Sequence, residues 1–390
     1  MRNIPLSLYI HLPWCVKKCP YCDFNSHEIK NNVPEDDYIT ALISDLRMQQ
    51  KQVQDREVIS IFLGGGTPSI FSSKNIKRLL DATHDSLNVS KQAEITIEAN
   101  PGTMDQENFS GFRNAGINRI SIGAQSFTDS QLQHLGRIHN SQAAVESVEV
   151  AKQAGFENIN LDLMYALPEQ NIACALHDIE QALALQPTHI SYYQLTIEPN
   201  TSFYRQPPRL PNTQTSWNIQ QAGIKKLAEH GYAQYEVSAY AQNELQCLHN
   251  TNYWQFGDYL GIGAGAHQKL SYPSEHKVVR SEKPKHPQQY MKAMNEPNPD
   301  VGSHTLSQQD LIFEFMLNAL RLKKGFTEQQ FTSNTGLKIS QISEKIDMQV
   351  EQGLLAKQED YVHCSDQGYR FLDDLLQSWL PPTQTVGNIR

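Results

Sequence analysis

Three cysteines lie close together near the start of the chain, where Cys15, Cys19 and Cys22 form a C-x3-C-x2-C motif. Thiolates at this spacing can hold three irons of a [4Fe–4S] cluster and leave the fourth iron open to another ligand. The other cysteines are scattered, at Cys174, Cys247 and Cys364. Six cysteines are too few to staple a chain of 390 residues, so the tight group predicts a metal site in a reducing compartment.

The same three cysteines could instead hold zinc, with His11 or His27 as the fourth ligand. Zinc sites usually combine one cysteine pair with a second, distant pair, and the sequence contains no second pair. Three buried structural cysteines are another alternative, but a loop that contains lysines and a proline is a poor setting for them. We therefore expect an iron–sulfur cluster here.

Chemically capable residues recur where the other predicted strands end. A run of glycines (Gly64, Gly65, Gly66) precedes Thr67; such a run lets backbone approach a ligand closely, and it is also typical of a plain turn. Glu98 ends the next strand, where a carboxylate could hold ribose hydroxyls or simply cap a helix. The remaining candidates are Gln125, Arg137 and Asp162.

Asp162 differs from the other candidates because leucines flank it within a predicted strand. A carboxylate in such a setting is costly to bury without a partner. We expect either Arg137 or a bound ligand to supply that partner.

Six short β-rich segments alternate with longer amphipathic segments in the first 200 residues. The predicted strands cover residues 6–11, 58–63, 94–99, 119–123, 158–164 and 189–197. The helical patterns between them cover residues 35–54, 72–87, 105–115, 141–154 and 172–185. This alternation predicts an α/β fold with a parallel sheet, as an open sheet or a partial (β/α)6 barrel. In both, the carboxyl ends of the strands gather at one edge and would bring the candidate residues together.

We divide the chain into a barrel (residues 1–235), an extension (236–300) and a C-terminal domain (301–390). Residues 216–231 are predicted to be a helix and 232–241 one more strand. The polar stretch 272–300 holds five prolines, which predicts a loop or linker. Three helical patterns (306–322, 339–352, 367–379) and a hairpin at 353–365 predict a mostly helical, winged-helix-like domain.

Charge and hydropathy narrow the functional class. The chain carries 33 Lys+Arg against 42 Asp+Glu, a net charge of −9, which argues against a general nucleic-acid binder. No apolar run approaches the length of a membrane span, and the first residues lack a signal-peptide pattern. We expect a cytoplasmic protein. A regulator that uses the winged-helix-like domain on DNA is disfavoured, because that domain is itself acidic.

The cysteine motif resembles that of the radical S-adenosylmethionine (SAM) superfamily. The resemblance implies that the open iron binds the amino and carboxylate groups of SAM, and that cluster reduction cleaves SAM to a 5′-deoxyadenosyl radical. Nearly the whole chain is similar to the oxygen-independent coproporphyrinogen III oxidases and their relatives, including the stretch that runs from Gly261 to His267. The positions that match this family's SAM site are Tyr9, Tyr21, Gly65, Gly66, Thr67, Glu98, Gln125, Arg137 and Asp162.

Two departures separate the chain from the oxidases. The oxidases carry a fourth cysteine at the position that Phe24 occupies here, and they have an N-terminal arm where this chain has only eight residues before Tyr9. Both departures put decarboxylation of coproporphyrinogen in doubt, so an oxidase remains the second hypothesis.

A further motif resembles that of the HemW-type haem chaperones, which are paralogues of the oxidases. Residues 249–254 read H-N-T-N-Y-W. An imidazole such as His249 can ligate haem iron, and Tyr253 and Trp254 offer flat faces to a porphyrin. Cys247 is a competing thiolate ligand, and a plain surface histidine beside two core aromatics is the alternative. The resemblance implies that the partners are haem and either haem-accepting respiratory enzymes or haem donor proteins, and that the protein associates peripherally with a membrane.

Overall fold

The computed structural model of the chain describes residues 4–103, 106–296 and 302–381. The six predicted strands form as β1 (Leu6–Leu12), β2 (Glu57–Gly65), β3 (Asn88–Ala99), β4 (Arg119–Gln125), β5 (Asn158–Tyr165) and β6 (His189–Gln194). They are parallel and neighbour one another in chain order. This order confirms the predicted α/β architecture, with the six strands of a partial (β/α)6 barrel.

Helices connect these strands and cover the sheet. They are α1 (Glu35–Val53), α2 (Ser73–Ser86), α3 (Gln106–Asn114), α4 (Asp129–His134), α5 (Ser141–Gln153), α6 (Ile172–Ala184), α7 (Ser202–Arg205) and α8 (Thr213–Glu229). The helices α2, α5 and α6 each begin after a capping residue, namely Ser72, Asn140 and Asn171. The side-chain oxygen of each cap accepts a hydrogen bond from the backbone N–H of the residue three positions later. Because caps and apolar periodicity agree, five of these helices begin and end within one residue of the predicted positions.

Further strands extend the sheet on both sides. On one side, β7 (Ala233–Glu236) and β8 (Ala239–Ala241) form an antiparallel hairpin next to β6. The single strand predicted at 232–241 was therefore wrong: the Glu236 carboxylate accepts hydrogen bonds from Ser238, and the chain reverses there. After the short helix α9 (Leu248–Trp254), β9 (Asp258–Ile262) pairs in parallel with the free side of β1.

The interpretation of residues 272–300 as a loop or linker was also wrong. Three antiparallel strands follow β9, namely β10 (His267–Tyr272), β11 (Lys277–Glu282) and β12 (Gly302–Thr305). The helix α10 (Pro287–Ala293) begins at a proline, where the missing N–H costs nothing. Lys283 and Tyr290 bind the buried Asp45 carboxylate of α1, so this segment packs on the barrel. Pro297 and Pro299 lie outside the described residues.

The C-terminal domain has its own hydrophobic core around Phe315, Phe331 and Trp379. Its helices are α11 (Gln308–Ala319), α12 (Glu328–Thr335), α13 (Ser343–Glu351), α14 (Asp366–Arg370) and α15 (Leu372–Gln377). A small sheet holds β13 (Phe326–Thr327), β14 (Leu355–Gln358) and β15 (Tyr361–Cys364), with the predicted hairpin formed by β14 and β15. Across the described ranges, no helix is long and apolar enough to cross a membrane.

Candidate functional site

A cavity opens at the carboxyl ends of the parallel strands, next to the cysteine loop. The residues predicted from the sequence that line it are Cys15, Cys19, Tyr21, Cys22, Gly65, Gly66, Thr67, Glu98, Gln125, Arg137 and Asp162. Tyr9 does not line it; its hydroxyl is 2.9 Å from His11 Nδ1. Burial, with the nearby charge of Glu98, raises the pKa of Tyr9. The structure thus brings the predicted site together, with Tyr9 at its border.

The cysteine loop is closed by its own two ends. Trp14–Cys15 and His27–Glu28 pair as short parallel strands, and the Cys22 N–H donates to the Cys19 carbonyl at 3.1 Å. The three cysteines are free thiols. Burial, and after it the neighbouring Cys22, raises the pKa of Cys15 to about 11, so metal binding has to displace a proton.

Of the two histidines considered as a fourth zinc ligand, His11 is engaged elsewhere, whereas His27 keeps one buried ring nitrogen, Nε2, without a hydrogen-bond partner. Both ring nitrogens of His11 are engaged, Nδ1 with the Tyr9 hydroxyl and Nε2 with the Asn25 carbonyl, each at 2.9 Å. His27 faces His286, with 5.5 Å between ring centroids. Among the residues that the structure describes, no three His, Cys, Asp or Glu side chains converge on the position of one metal ion.

The glycine turn after β2 is required by close packing against β1 and the cysteine loop. Gly65 has a φ of 119°, and a Cβ there would lie 2.6 Å from the His11 ring. A Cβ on Gly66 would lie 2.4 Å from the Trp14 carbonyl oxygen, and the Thr67 N–H donates to that oxygen at 2.7 Å. These contacts bring the backbone of the turn to the cavity wall without side chains.

Two half-buried carboxyl groups face the cavity. Burial, and after it the charge of Asp162, raises the pKa of Glu98 to about 7, although Oε2 accepts a hydrogen bond from the Gly65 N–H at 3.1 Å. Burial also raises the pKa of Asp162, which accepts hydrogen bonds from Asn160 Nδ2 (2.8 Å) and Ser121 Oγ (3.2 Å). Protonated or paired carboxyls of this kind can accept hydrogen bonds from the hydroxyl groups of a ligand.

One of the two predicted alternatives made Arg137 the partner of Asp162. In the structure, Arg137 forms its hydrogen bonds with other groups. Its guanidinium donates to the Gly123 carbonyl at 2.8 Å and to Cys19 Sγ at 3.5 Å, and its Nε is buried without a partner. The guanidinium is therefore in direct contact with one of the three candidate cluster ligands. Burial alone would lower the pKa of Arg137, but Tyr21 and Cys19 outweigh it and the net direction is upward.

The sequence analysis missed Tyr193, which lines the same cavity at the end of β6. Its hydroxyl donates to Gln125 Oε1 at 2.6 Å and so fixes the amide of that residue. Gln125 itself has a φ of 67°, a left-handed conformation that ends β4 and directs the chain away from the sheet. The predicted strand ran from residue 189 to 197 and placed Tyr193 inside it, whereas β6 ends at Gln194, so the residue was missed.

The predicted haem-binding residues lie outside this cavity, on α9, and they are not accessible to haem in this structure. His249 is 1% exposed; its Nδ1 is 3.1 Å from Ser60 Oγ and its Nε2 is 3.0 Å from the Tyr253 hydroxyl. Burial, with the charge of Arg119, lowers its pKa to about 3. The cavity beside Tyr253 and Trp254 measures about 80 Å³, too small for a porphyrin. Neither ring nitrogen of His249 is therefore open to iron in this conformation.

Cys247, the competing ligand for haem iron, is also inaccessible. Burial raises its pKa to about 12, and its thiol donates to Glu94 Oε1 at 3.5 Å. The Glu94 carboxylate also accepts the N–H groups of Leu248 and His249, each at 3.1 Å. One buried acid thus holds the start of α9 against the barrel.

Comparisons with known proteins agree with this geometry. Residues 9–182 match the radical SAM superfamily, and residues 306–371 match the HemN C-terminal domain. The heme chaperone HemW of Haemophilus influenzae is 46% identical over 385 residues, covering 96% of this chain and 98% of that protein. The heme chaperone HemW of Escherichia coli is 46% identical over 381 residues, with the same coverage.

The chain belongs to the HemW family of radical SAM proteins. The solved structure of the Escherichia coli coproporphyrinogen III oxidase HemN, described as a radical SAM enzyme, superposes with a TM-score of 0.81. That match covers 96% of this chain and 90% of HemN at 21% identity, so it establishes a shared fold.

Membership in the radical SAM superfamily implies a [4Fe–4S] cluster and SAM. The donor set fits both groups: three thiols border one cavity, beside a buried guanidinium nitrogen that has no partner. Two half-buried carboxyl groups, Glu98 near the end of β3 and Asp162 within β5, complete a lining suited to a polar ligand.

Proposed function

We propose that the protein is a haem chaperone that binds haem and passes it to haem-containing respiratory proteins. The observation that carries this proposal is the 46% identity, over nearly the full length of both chains, to proteins named heme chaperone HemW. Phe24 supports it, because the oxidases would have a fourth cysteine at that position. The proposal places the protein in the cytoplasm, in contact with a membrane where its clients are membrane-bound.

We assign the cluster to Cys15, Cys19 and Cys22, and SAM to the surrounding cavity. The SAM residues of the proposal are Tyr9, Tyr21, Gly65, Gly66, Thr67, Glu98, Gln125, Arg137 and Asp162. When bound, the reduced cluster and SAM supply one-electron chemistry at the open iron. The chain's own part is to position these groups: Arg137 donates a hydrogen bond to Cys19 Sγ at 3.5 Å, and Tyr193 fixes Gln125 at 2.6 Å.

Anaerobic reconstitution tests the cluster. The chain should take up about four irons and four sulfides, as a [4Fe–4S] cluster requires. Cys19→Ser should abolish this uptake, whereas Cys174→Ser, on α6 and away from the cavity, should leave it intact. Stoichiometric zinc in place of iron under the same handling would contradict the assignment.

An oxidase assay separates the proposal from its main alternative. The reduced, SAM-loaded protein should not convert coproporphyrinogen III to protoporphyrinogen, because the fourth-cysteine position holds Phe24. Turnover with stoichiometric SAM consumption would make the protein an oxidase and would overturn the chaperone proposal.

Haem titration of the same sample tests haem binding directly. We propose His249 as the iron ligand, flanked by Tyr253 and Trp254. This requires α9 to move away from Ser60 and the hydrogen bond between His249 and Tyr253, which both lie on α9, to break. His249→Ala should shift the haem absorption bands and weaken binding, whereas Trp254→Ala should weaken binding less and leave the bands in place. Unchanged bands in His249→Ala would assign the iron to another group, and a wild type that binds no haem would end the proposal.

A further inference from the structure

We infer that Asn25 is a positioning residue for the iron–sulfur cluster. Its side chain attaches the cysteine loop to a second glycine-containing turn, at residues 263–265. The inference rests on the proposed cluster site. It gives a role to two features that the function has not used: the residues that follow the third cysteine, and the glycine-rich stretch after β9.

The amide of Asn25 joins three segments that are distant in sequence. Its Nδ2 donates to the Ala264 carbonyl at 2.9 Å and to the Lys285 carbonyl at 2.8 Å. Its own backbone carbonyl accepts from His11 Nε2 at 2.9 Å. Both amide hydrogens are thus used, and the backbone on the C-terminal side of the cysteine loop is held at the same residue.

The turn at residues 263–265 leaves space for the Asn25 side chain. Gly265 has a φ of 74°, and a Cβ there would lie 2.4 Å from Asn25 Nδ2. Gly263 has a φ of 106°, and a Cβ there would lie 2.4 Å from the His11 carbonyl oxygen. Glycine at these two positions lets the turn approach both β1 and the cysteine loop.

The turn is also a rigid support. The Ala264 N–H donates to the Tyr38 hydroxyl at 2.8 Å, and that hydroxyl donates to the His11 carbonyl at 2.9 Å. The Gly263 N–H donates to the Tyr290 hydroxyl at 3.1 Å. Because Tyr38 and Tyr290 are fully buried, the carbonyl that Asn25 binds cannot move independently of the barrel.

Asn25 lies three residues after Cys22, and Ser26 Oγ is 3.6 Å from Cys22 Sγ. A shift of Asn25 therefore moves the group next to the third thiolate. The first thiolate, Cys15, is held separately by the strand pair with Glu28. Losing the Asn25 contacts should loosen one corner of the cluster while the barrel remains folded.

Two variants approach the same contact from opposite sides. Asn25→Asp keeps the size of the side chain but sets a carboxylate against two carbonyl oxygens, and Gly265→Ala pushes the amide away from the turn. Both should alter the electron paramagnetic resonance (EPR) spectrum of the reduced cluster and its response to SAM. Both should also speed cluster loss in air by roughly tenfold, since two neutral hydrogen bonds are lost.

Matched controls separate positioning from general damage. Asn32→Ala removes an exposed amide from the segment that follows the loop, and Gly231→Ala adds a methyl at a φ of 81° with no atom within 4 Å. Both controls should keep the wild-type spectrum. The double variant Asn25→Ala/Gly265→Ala should be less impaired than the sum of its parts, because the new methyl occupies the space left by the amide.

The experiment uses the full chain, reconstituted anaerobically, with its melting temperature measured alongside the spectra. If Asn25→Asp and Gly265→Ala both carry a cluster with the wild-type spectrum, SAM response and lifetime, the inference is wrong. If Gly265→Ala does not fold, Asn25→Asp decides alone. A wild type that assembles no cluster would refute the proposed cluster site, a result distinct from failure of the Asn25 inference.

Discussion

Replacing Glu98 by Gln should stabilise the metal-free protein at neutral pH and have little effect in acid. The folded state raises the pKa of this carboxyl from 4.5 to about 7, chiefly by burial. The folded protein therefore holds the proton more tightly than the unfolded chain does. The stability that this provides is complete below pH 4.5 and is lost as the pH rises to about 7.

The size of the effect follows from the same shift. At 1.36 kcal/mol for each pKa unit, ionising Glu98 in place costs at most roughly 3 kcal/mol. This is an upper limit because the carboxyl borders the open cavity, where water reduces the burial penalty. Gln has nearly the same shape, keeps an acceptor for the Gly65 N–H and never ionises, so the variant escapes this cost.

Urea unfolding at pH 5 and pH 8 measures the effect. The stability difference between Glu98→Gln and the wild type should grow by roughly 2 kcal/mol between these two pH values. The exposed Glu157→Gln variant should show no such growth. A difference that is the same at both pH values, or a Glu98→Gln variant that is less stable than the wild type at pH 8, would refute the reasoning.

Two further variants test packing and charge elsewhere in the fold. Lys269→Met leaves the buried Asp258 with Arg56 as its remaining cation and should lower the free energy of unfolding by about 3 kcal/mol, measured by urea denaturation. Lys277→Met, at a partly exposed lysine that pairs with Glu275, should lower it by less than about 1 kcal/mol. Gly66→Ala places a methyl against the Trp14 carbonyl and should abolish SAM binding in calorimetry while the chain still folds; binding at wild-type affinity would contradict this packing argument.

Local sequence patterns were sufficient to predict the barrel strands but not the strands that extend the sheet. Each barrel strand carries its own apolar run and ends at a recognisable residue, so β1 to β6 could be predicted without knowledge of their neighbours. The strands β10 to β12 hold many polar residues and are separated by segments that contain prolines. They are held in the sheet because they pair with one another and, through β9, with β1. Pairing partners distant in sequence leave no local pattern, and the linker prediction failed for that reason.

The same limit applies to the site. Cysteine spacing and strand ends predicted which residues surround the cavity, because both are properties of short segments. Their partners were harder to predict: Arg137 pairs with a backbone carbonyl and Cys19, and His249 is enclosed by Ser60, which is 189 residues away. A motif gives the chemistry of a side chain, whereas its accessibility depends on the packed chain around it.

The attachment of α9 to Glu94 has a thermodynamic consequence for haem. If His249 is the ligand, only the fraction of molecules with α9 released can bind, and the apparent dissociation constant equals the intrinsic one divided by that fraction. Every 1.4 kcal/mol that Glu94 and Ser60 contribute to holding α9 on the barrel would weaken apparent binding tenfold. Closure would then compete with haem for the same histidine, so a cargo that binds well to the open form could still be displaced when α9 returns to the barrel.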